Sequence, residues 1–163
     1  LTLEDVFLAA RKAYKPHLSR HTAEWATSMV NLEIKWKTPA SSLDTFNRRK
    51  LLMACLLMRK PKVLLMDEPF AALDAQNRAM MQKEMIRILA EESKTVVLVT
   101  HSIEESINLS DVIIIMTRRP GRVKEVIRVP EPRRMVEDTP SYLEVRRKIR
   151  DLISDEHDLS DVS

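Results

Sequence analysis

The stretch Val63-Leu64-Leu65-Met66-Asp67-Glu68-Pro69 constrains this chain more than any other. Four apolar residues follow Lys62 and run into a turn. That is the pattern of a strand buried on both faces, as in a parallel sheet. Asp67 continues the strand and Glu68 is the first residue to leave it. Pro69 has no N–H and ends the pairing. Open parallel sheets bind ligands beyond the carboxyl ends of their strands. Adjacent carboxylates at that edge suit phosphate chemistry, one acid holding Mg2+ and a second orienting the attacking water. The plainer alternative is that Asp67 caps the next helix and Glu68 is solvated.

The flanking sequence bears on that choice. Ala75 to Glu92 has the spacing of an amphipathic helix, with Met81, Met85, Ile88 and Leu89 on its buried stripe. Methionines at helical spacing belong to a core rather than to a cofactor site. Thr95-Val96-Val97-Leu98-Val99 reads as the next buried strand. A strand, a helix and a strand of these lengths imply a parallel pair with a right-handed crossover. His101 then falls at the same sheet edge as Asp67 and Glu68. Ser102-Ile103-Glu104-Glu105 is a capping box that opens a short helix.

These residues carry a resemblance. Val63-Leu64-Leu65-Met66-Asp67-Glu68-Pro69 resembles the Walker B motif and catalytic glutamate of ABC transporter ATP-binding subunits. Phe70-Ala71-Ala72-Leu73-Asp74 resembles their D-loop. Val97-Leu98-Val99-Thr100-His101 resembles the strand and switch histidine of their H-loop. The match runs from about Leu1 to Ile153. Arg118-Arg119-Pro120-Gly121-Arg122-Val123 is most similar to importers of the nitrate, sulfonate and taurine type. The resemblance implies an α/β fold of the P-loop NTPase (RecA-like) class, here incomplete, with an N-terminal α-helical subdomain. It implies ATP and Mg2+ as cofactors. Asp67 would hold the metal, Glu68 would polarise water, His101 would hold the γ-phosphate, and Asp74 would link two ATPase subunits. It also implies permease partners and a cytoplasmic site on the inner face of the membrane. Residues 1–60 would be the helical subdomain, 61–129 the Walker B to H-loop half of the core, and 130–163 a linker, helix and acidic tail.

One departure matters. Leu43-Asp44-Thr45-Phe46-Asn47 aligns, counting back from Asp67, with the family signature Leu-Ser-Gly-Gly-Gln. Only the leucine is kept. Asp44 places an anion where the family holds phosphate, and two unit charges about 4 Å apart repel by roughly 4 kcal/mol at an effective dielectric of 20. Thr45 and Phe46 add side chains where backbone must come close. Asp44 also reads simply as a helix cap.

The remainder is less specific. Leu1 to Tyr14 reads as a helix capped by Thr2, and about Ser19 to Glu33 as a second, with Trp25, Ala26, Met29 and Val30 on its stripe. His17 and His21 lack a visible third metal ligand. Asn47 to Lys60 has an all-apolar body, the mark of a buried helix. Val112 to Met116 is a third strand, and Val123 to Val129 returns beside it, so that three parallel strands and one returning strand form the sheet. The hairpin between them is basic. It could meet nucleic acid or anionic lipid, but it has no aromatic residue for base stacking, which favours a solvated edge. Tyr142 to Ile153 is a last helix, and a frayed tail is expected from Ser154.

Composition closes off several classes. At 163 residues, 44% hydrophobic and 31% charged, the chain is long enough for one domain core. No apolar run reaches the roughly 20 residues that span a bilayer. Cys55 is the only cysteine, so an internal disulfide is impossible. A net charge of +3 does not call for nucleic acid. The chain starts at Leu1, not methionine, and a piece of a longer protein is expected. It has one glycine, Gly121, whereas the phosphate-binding pattern G-x-x-x-x-G-K-[ST] requires two. The strand edge that would meet a phosphate-loop strand is expected to be covered by another chain, a swapped copy or a rearranged N-terminal segment. Two functions remain open: part of a working transport ATPase, or a non-catalytic relative with an assembly or regulatory role.

Overall fold

The computed structural model describes residues 1–13, 19–33, 35–92, 94–131 and 137–158, with side chains through 154. The elements in order are α1 (Leu3–Lys12), α2 (Arg20–Met29), a 3-10 turn at Ala40–Ser42, α3 (Thr45–Leu57), β1 (Val63–Asp67), α4 (Ala75–Glu91), β2 (Thr95–Val99), α5 (Ile103–Leu109), β3 (Val112–Met116), β4 (Val123–Arg128) and α6 (Pro140–Asp158). The chain divides into two compact units. One comprises residues 1–64 and 70–97, the other 65–69 and 98–163.

In the first unit the helices begin where polar caps stand. Thr2 accepts from Asp5 N, and Asp5 returns the bond to the Thr2 N–H, a complete capping box. Ser19 caps α2, Asp44 caps α3 and Asp74 caps α4. The last two are the same device, Asp-x-x-Asn. The aspartate takes the Asn N–H through one oxygen and the Asn side-chain amide through the other. Leu3, Phe7, Ala26, Leu57 and Ile88 are among the residues buried in this unit. Phe7 meets Trp36 edge to face at 5.4 Å between ring centroids. Arg87 ties the unit together by bonding Glu84, Glu91 and the carbonyl of Met29. His21 lies exposed in the first turn of α2, and His17 is outside the described residues.

β1 and β2 form a two-stranded sheet. Thr95 N donates to Lys62 O at 3.0 Å at their starts, and Glu68 N donates to Val99 O at 2.9 Å at their ends. Start meets start and end meets end, so the pair is parallel, as the strand-helix-strand reading requires.

In the second unit β3 and β4 form an antiparallel hairpin, Val112 opposite Arg128 and Ile114 opposite Val126, with an irregularity at Ile115 and Met116. Ile107, Ile113, Ile115, Ile127, Val129, Tyr142, Val145 and Ile149 pack as one core beneath α5 and α6. The leg joining β3 to β4 is short, so closing it costs little chain entropy.

Four expectations are corrected. The three parallel strands do not form one ladder: among the described residues β3 is bonded to β4 and not to β2. The strands are not buried on both faces. β1 alternates, with Leu64 and Met66 inside and Val63 and Leu65 at 60% and 71% exposure. β3 does the same, with Ile114 56% exposed. Burial of both faces needs a helical layer on each side. Here each strand is covered on one side among the described residues. Leu52 and Leu56 of α3 are likewise exposed, so that helix is buried along a stripe and not all round. Finally, helical backbone does not stop at Ser154 but continues to Asp158.

Candidate active site

The site grows from the end of β1. Asp67 closes the strand and is exposed. Glu68 follows with φ 43°, in the left-handed region. For a non-glycine residue that conformation costs roughly 1 kcal/mol or more. Its N–H nonetheless stays bonded to Val99 O of the neighbouring strand. Strand pairing thus fixes the Glu68 backbone while the turned φ swings its side chain off the sheet.

That side chain meets His101. Glu68 Oε1 accepts from His101 N at 2.9 Å and lies 2.7 Å from His101 Nδ1. An ionised carboxylate only accepts, so a neutral His101 carries its proton on Nδ1 and turns Nε2, an acceptor, away from Glu68. The Glu68 side chain is 34% exposed and that of His101 82%, so the imidazole is the more solvent-facing partner. Water or a phosphate oxygen can therefore approach the free side of the pair.

Three residues on the His101 side hold its turn. The Thr100 hydroxyl donates to Glu105 Oε2 at 2.6 Å. Thr100 Oγ1 in turn accepts from Ser102 N at 3.1 Å, and Ser102 Oγ accepts from Glu105 N at 3.2 Å. The Ser102-to-Glu105 capping box read from the sequence is thus relayed through Thr100. Glu105 is buried, at 4% exposure. Sequence reasoning assigned Glu105 only a capping role and passed over Thr100. A glutamate in the first turn of a helix reads as solvated, and its burial becomes visible only in three dimensions.

Asp74 lies in the other unit, at the N-terminus of α4. The Asn77 N–H and then the Asn77 amide hold its carboxyl below the ordinary value. At α3, Asp44 accepts the Asn47 N–H and the Asn47 side-chain amide. Lys50 Nζ stands 4.7 Å over the Phe46 ring and also donates to Asn31 O. The sequence expectation that Asp44 caps its helix describes this arrangement.

A magnesium ion takes oxygen ligands and keeps several waters, so one carboxylate together with phosphate oxygens can hold it. Asp67, a free-facing carboxylate at a strand end, fits that demand. Among the described residues no group of three His, Cys, Asp or Glu could hold a metal by itself.

Known proteins are similar to this chain in sequence and in fold. The chain is 42% identical over 109 residues to an uncharacterized ABC transporter ATP-binding protein of Methanocaldococcus jannaschii, covering 67% of this chain and 41% of that protein. It is 33% identical over 151 residues to an aliphatic sulfonates import ATP-binding protein of Bacillus cereus, covering 91% of this chain and 59% of that one. The chain belongs to the ATP-binding proteins of ABC transporters. Taurine and nitrate import ATP-binding proteins also match over 91% of the chain, in keeping with the importer type read from the sequence. A dimeric ABC cassette in a post-hydrolysis state, bound to ADP and Pi, superposes with a TM-score of 0.61 at 25% identity, covering 79% of this chain and 56% of that structure. The ABC cassette fold expected from the motifs is therefore present. No family model matches the chain. This ABC ATP-binding chain spans about half the length of the curated relatives it matches. No helix among its described residues is long and apolar enough to cross a membrane.

Proposed function

We propose that this chain supplies the water-activating side of an ABC importer ATPase. The observation that carries the reading is the double contact of Glu68 Oε1 with His101, made at the end of a parallel strand pair.

In this reading Glu68 takes a proton from the attacking water, or polarises it, with its second carboxylate oxygen, Oε2. His101 holds Glu68 by its backbone N–H and Nδ1, and offers its solvent-facing edge to the terminal phosphate. When that edge carries a proton it donates to phosphate oxygen and stabilises charge that develops there. Asp67, one residue back on the strand, holds Mg2+, which when bound offsets phosphate charge. Asp74 keeps the start of α4 in shape and borders the segment that links two ATPase subunits. The triphosphate cradle comes from residues outside these 163, since one glycine cannot build it. Permease subunits would hold the assembly at the cytoplasmic face of the membrane. Residues 1–60 would act as the helical part, 61–129 as the hydrolytic half, and 130–163 as the C-terminal extension.

One observation favours a second, non-catalytic role for the α3 end. Asp44 already fills the helix start with its own carboxylate. A subunit built this way would clasp a partner's nucleotide poorly there, and would work in an asymmetric pair or as an assembly factor.

The test is hydrolysis. The 163-residue chain alone is expected to show no measurable Mg-ATP binding. The complete ATPase that contains it is expected to hydrolyse ATP, and Glu68→Gln to remove that activity. Tight Mg-ATP binding by the chain alone, or full hydrolysis by Glu68→Gln, contradicts the reading.

A further inference from the structure

Among the described residues Glu105 is the one buried carboxylate. A carboxylate taken out of water needs donors close by. One of them is the Thr100 hydroxyl, at 2.6 Å. Glu105 stands at the third position of α5, where a glutamate ordinarily reaches back to the N–H of the capping residue, here Ser102. Instead the Thr100 oxygen receives the Ser102 N–H, at 3.1 Å. The carboxylate thus grips the chain one residue before His101, and the Ser102 hydroxyl grips it one residue after, through Glu105 N. Hydrogen bonds close around residues 100 to 105. The N–H of His101 bonds outside this set, to Glu68 Oε1 at 2.9 Å.

We propose that Thr100 and Glu105 are positioning residues for His101. The Glu105 carboxylate, acting through the Thr100 hydroxyl, fixes the turn so that the His101 N–H and Nδ1 reach the same Glu68 oxygen. Neither residue touches the reacting atoms. The geometric half of this assignment stands on the hydrogen bonds alone. Its catalytic half rests on the proposed ATPase function.

Thr100→Val keeps the side-chain shape and removes both hydrogen bonds of the hydroxyl. Thr100→Ser keeps the hydroxyl. Glu105→Ala removes the carboxylate and Glu105→Gln keeps an acceptor. Nitrogen NMR of histidine-labelled chain, at about pH 8.5 and above the ordinary histidine range near 6.5, reads which ring nitrogen of His101 carries the proton. In the unaltered chain the proton is expected on Nδ1. In Thr100→Val and Glu105→Ala the signal is expected to move toward the Nε2–H form, and the His101 amide to exchange with solvent about tenfold faster or more as its bond to Glu68 loosens. Thr100→Ser and Glu105→Gln are expected to restore most of both readouts. In the complete ATPase, Thr100→Val is expected to lower kcat by about tenfold to a hundredfold with KM for ATP nearly unchanged.

A folded Thr100→Val chain that keeps the Nδ1 proton and the slow amide overturns the proposal. So does unfolding of both Thr100→Val and Thr100→Ser, which would make the ring a folding element only. A His101 response to Thr100→Val, with no ATP hydrolysis by the complete protein, sinks the ATPase reading and leaves the positioning role standing. A merely structural role would lower stability in every variant without moving the His101 proton.

Discussion

Glu68 and His101 meet at a single oxygen: Oε1 of Glu68 accepts the His101 N–H at 2.9 Å and contacts Nδ1 at 2.7 Å. The backbone contact alone would leave the imidazole free to rotate about χ1 and χ2. Together they fix both the backbone and the ring against the carboxylate. The arrangement is built on backbone that resists it, since Glu68 sits at φ 43°. Strain of this kind persists where the surroundings over-determine it.

Glu68→Gly separates the two roles of that residue. Glycine adopts positive φ without steric cost, so relief of the strain offsets much of the loss of the His101 contacts. Chemical denaturation is expected to place this variant within about 1 kcal/mol of the unaltered chain. A loss of several kcal/mol would mean that Glu68 holds the fold and not the site.

Tyr142 offers a test of the second unit. It is buried beside Val145 and Ile149, and its hydroxyl has no hydrogen-bond partner among the described residues. A buried hydroxyl left unpaired costs about 1–3 kcal/mol. Tyr142→Phe removes that cost and keeps the ring, so it is expected to raise stability by about 1 kcal/mol. Ile149→Ala, in the same core, is expected to lower it by about 2–5 kcal/mol. Urea titrations of the two variants measure both changes, and a clear loss in Tyr142→Phe contradicts the packing described.

Cys55 is reported by its chemistry. Burial pushes its thiol up to about 11. At pH 8 the thiolate is therefore scarce, and a disulfide reagent is expected to react roughly a hundredfold more slowly than with a free thiol of ordinary pKa. Addition of denaturant should bring the rate to the ordinary value. Equal rates in the two conditions would show Cys55 to be open in the native chain.

Asp74 gives a pH signature. Its carboxyl is held below the ordinary value by the Asn77 N–H and side-chain amide. The stabilisation is therefore fully present above the unfolded carboxylate range near 3.9, and is lost as pH falls through the lower folded value. Asp74→Ala is expected to lower the Tm at neutral pH, and the gap to the unaltered chain to close in strong acid. A gap that stays constant down to about pH 2 would mean that the cap bond does not depend on the charge.

Local signals in the sequence carry much of this. Apolar runs ending in charged or turn residues locate β1, β2 and β3, and polar caps at Thr2, Ser19, Asp44 and Asp74 locate helix starts. The parallel pairing of β1 with β2 follows from the length of the connection between them. What local patterning does not show is which face of a strand gets covered. Val63, Leu65 and Ile114 look like core and are exposed, because burial depends on a second layer and not on the residue itself. The antiparallel partner of β3 was legible, but its separation from β2 was not, since pairing across distant sequence has no local signal. At the site, Glu68 and His101 were both visible as residue types, and their shared oxygen was not. Thr100 and Glu105 escaped notice because their bond is made by a buried carboxylate that sequence reads as a surface cap.

The central claim is that Glu68 and His101 act on ATP as one unit. The most direct measurement is the ATP hydrolysis rate of the complete ATPase in a double-mutant cycle of Glu68→Gln and His101→Ala. The account predicts that each single change lowers kcat by about a hundredfold or more, and that the double variant is no slower than the worse single one. Losses that multiply in the double variant, or a Glu68→Gln enzyme that retains its full rate, contradict it.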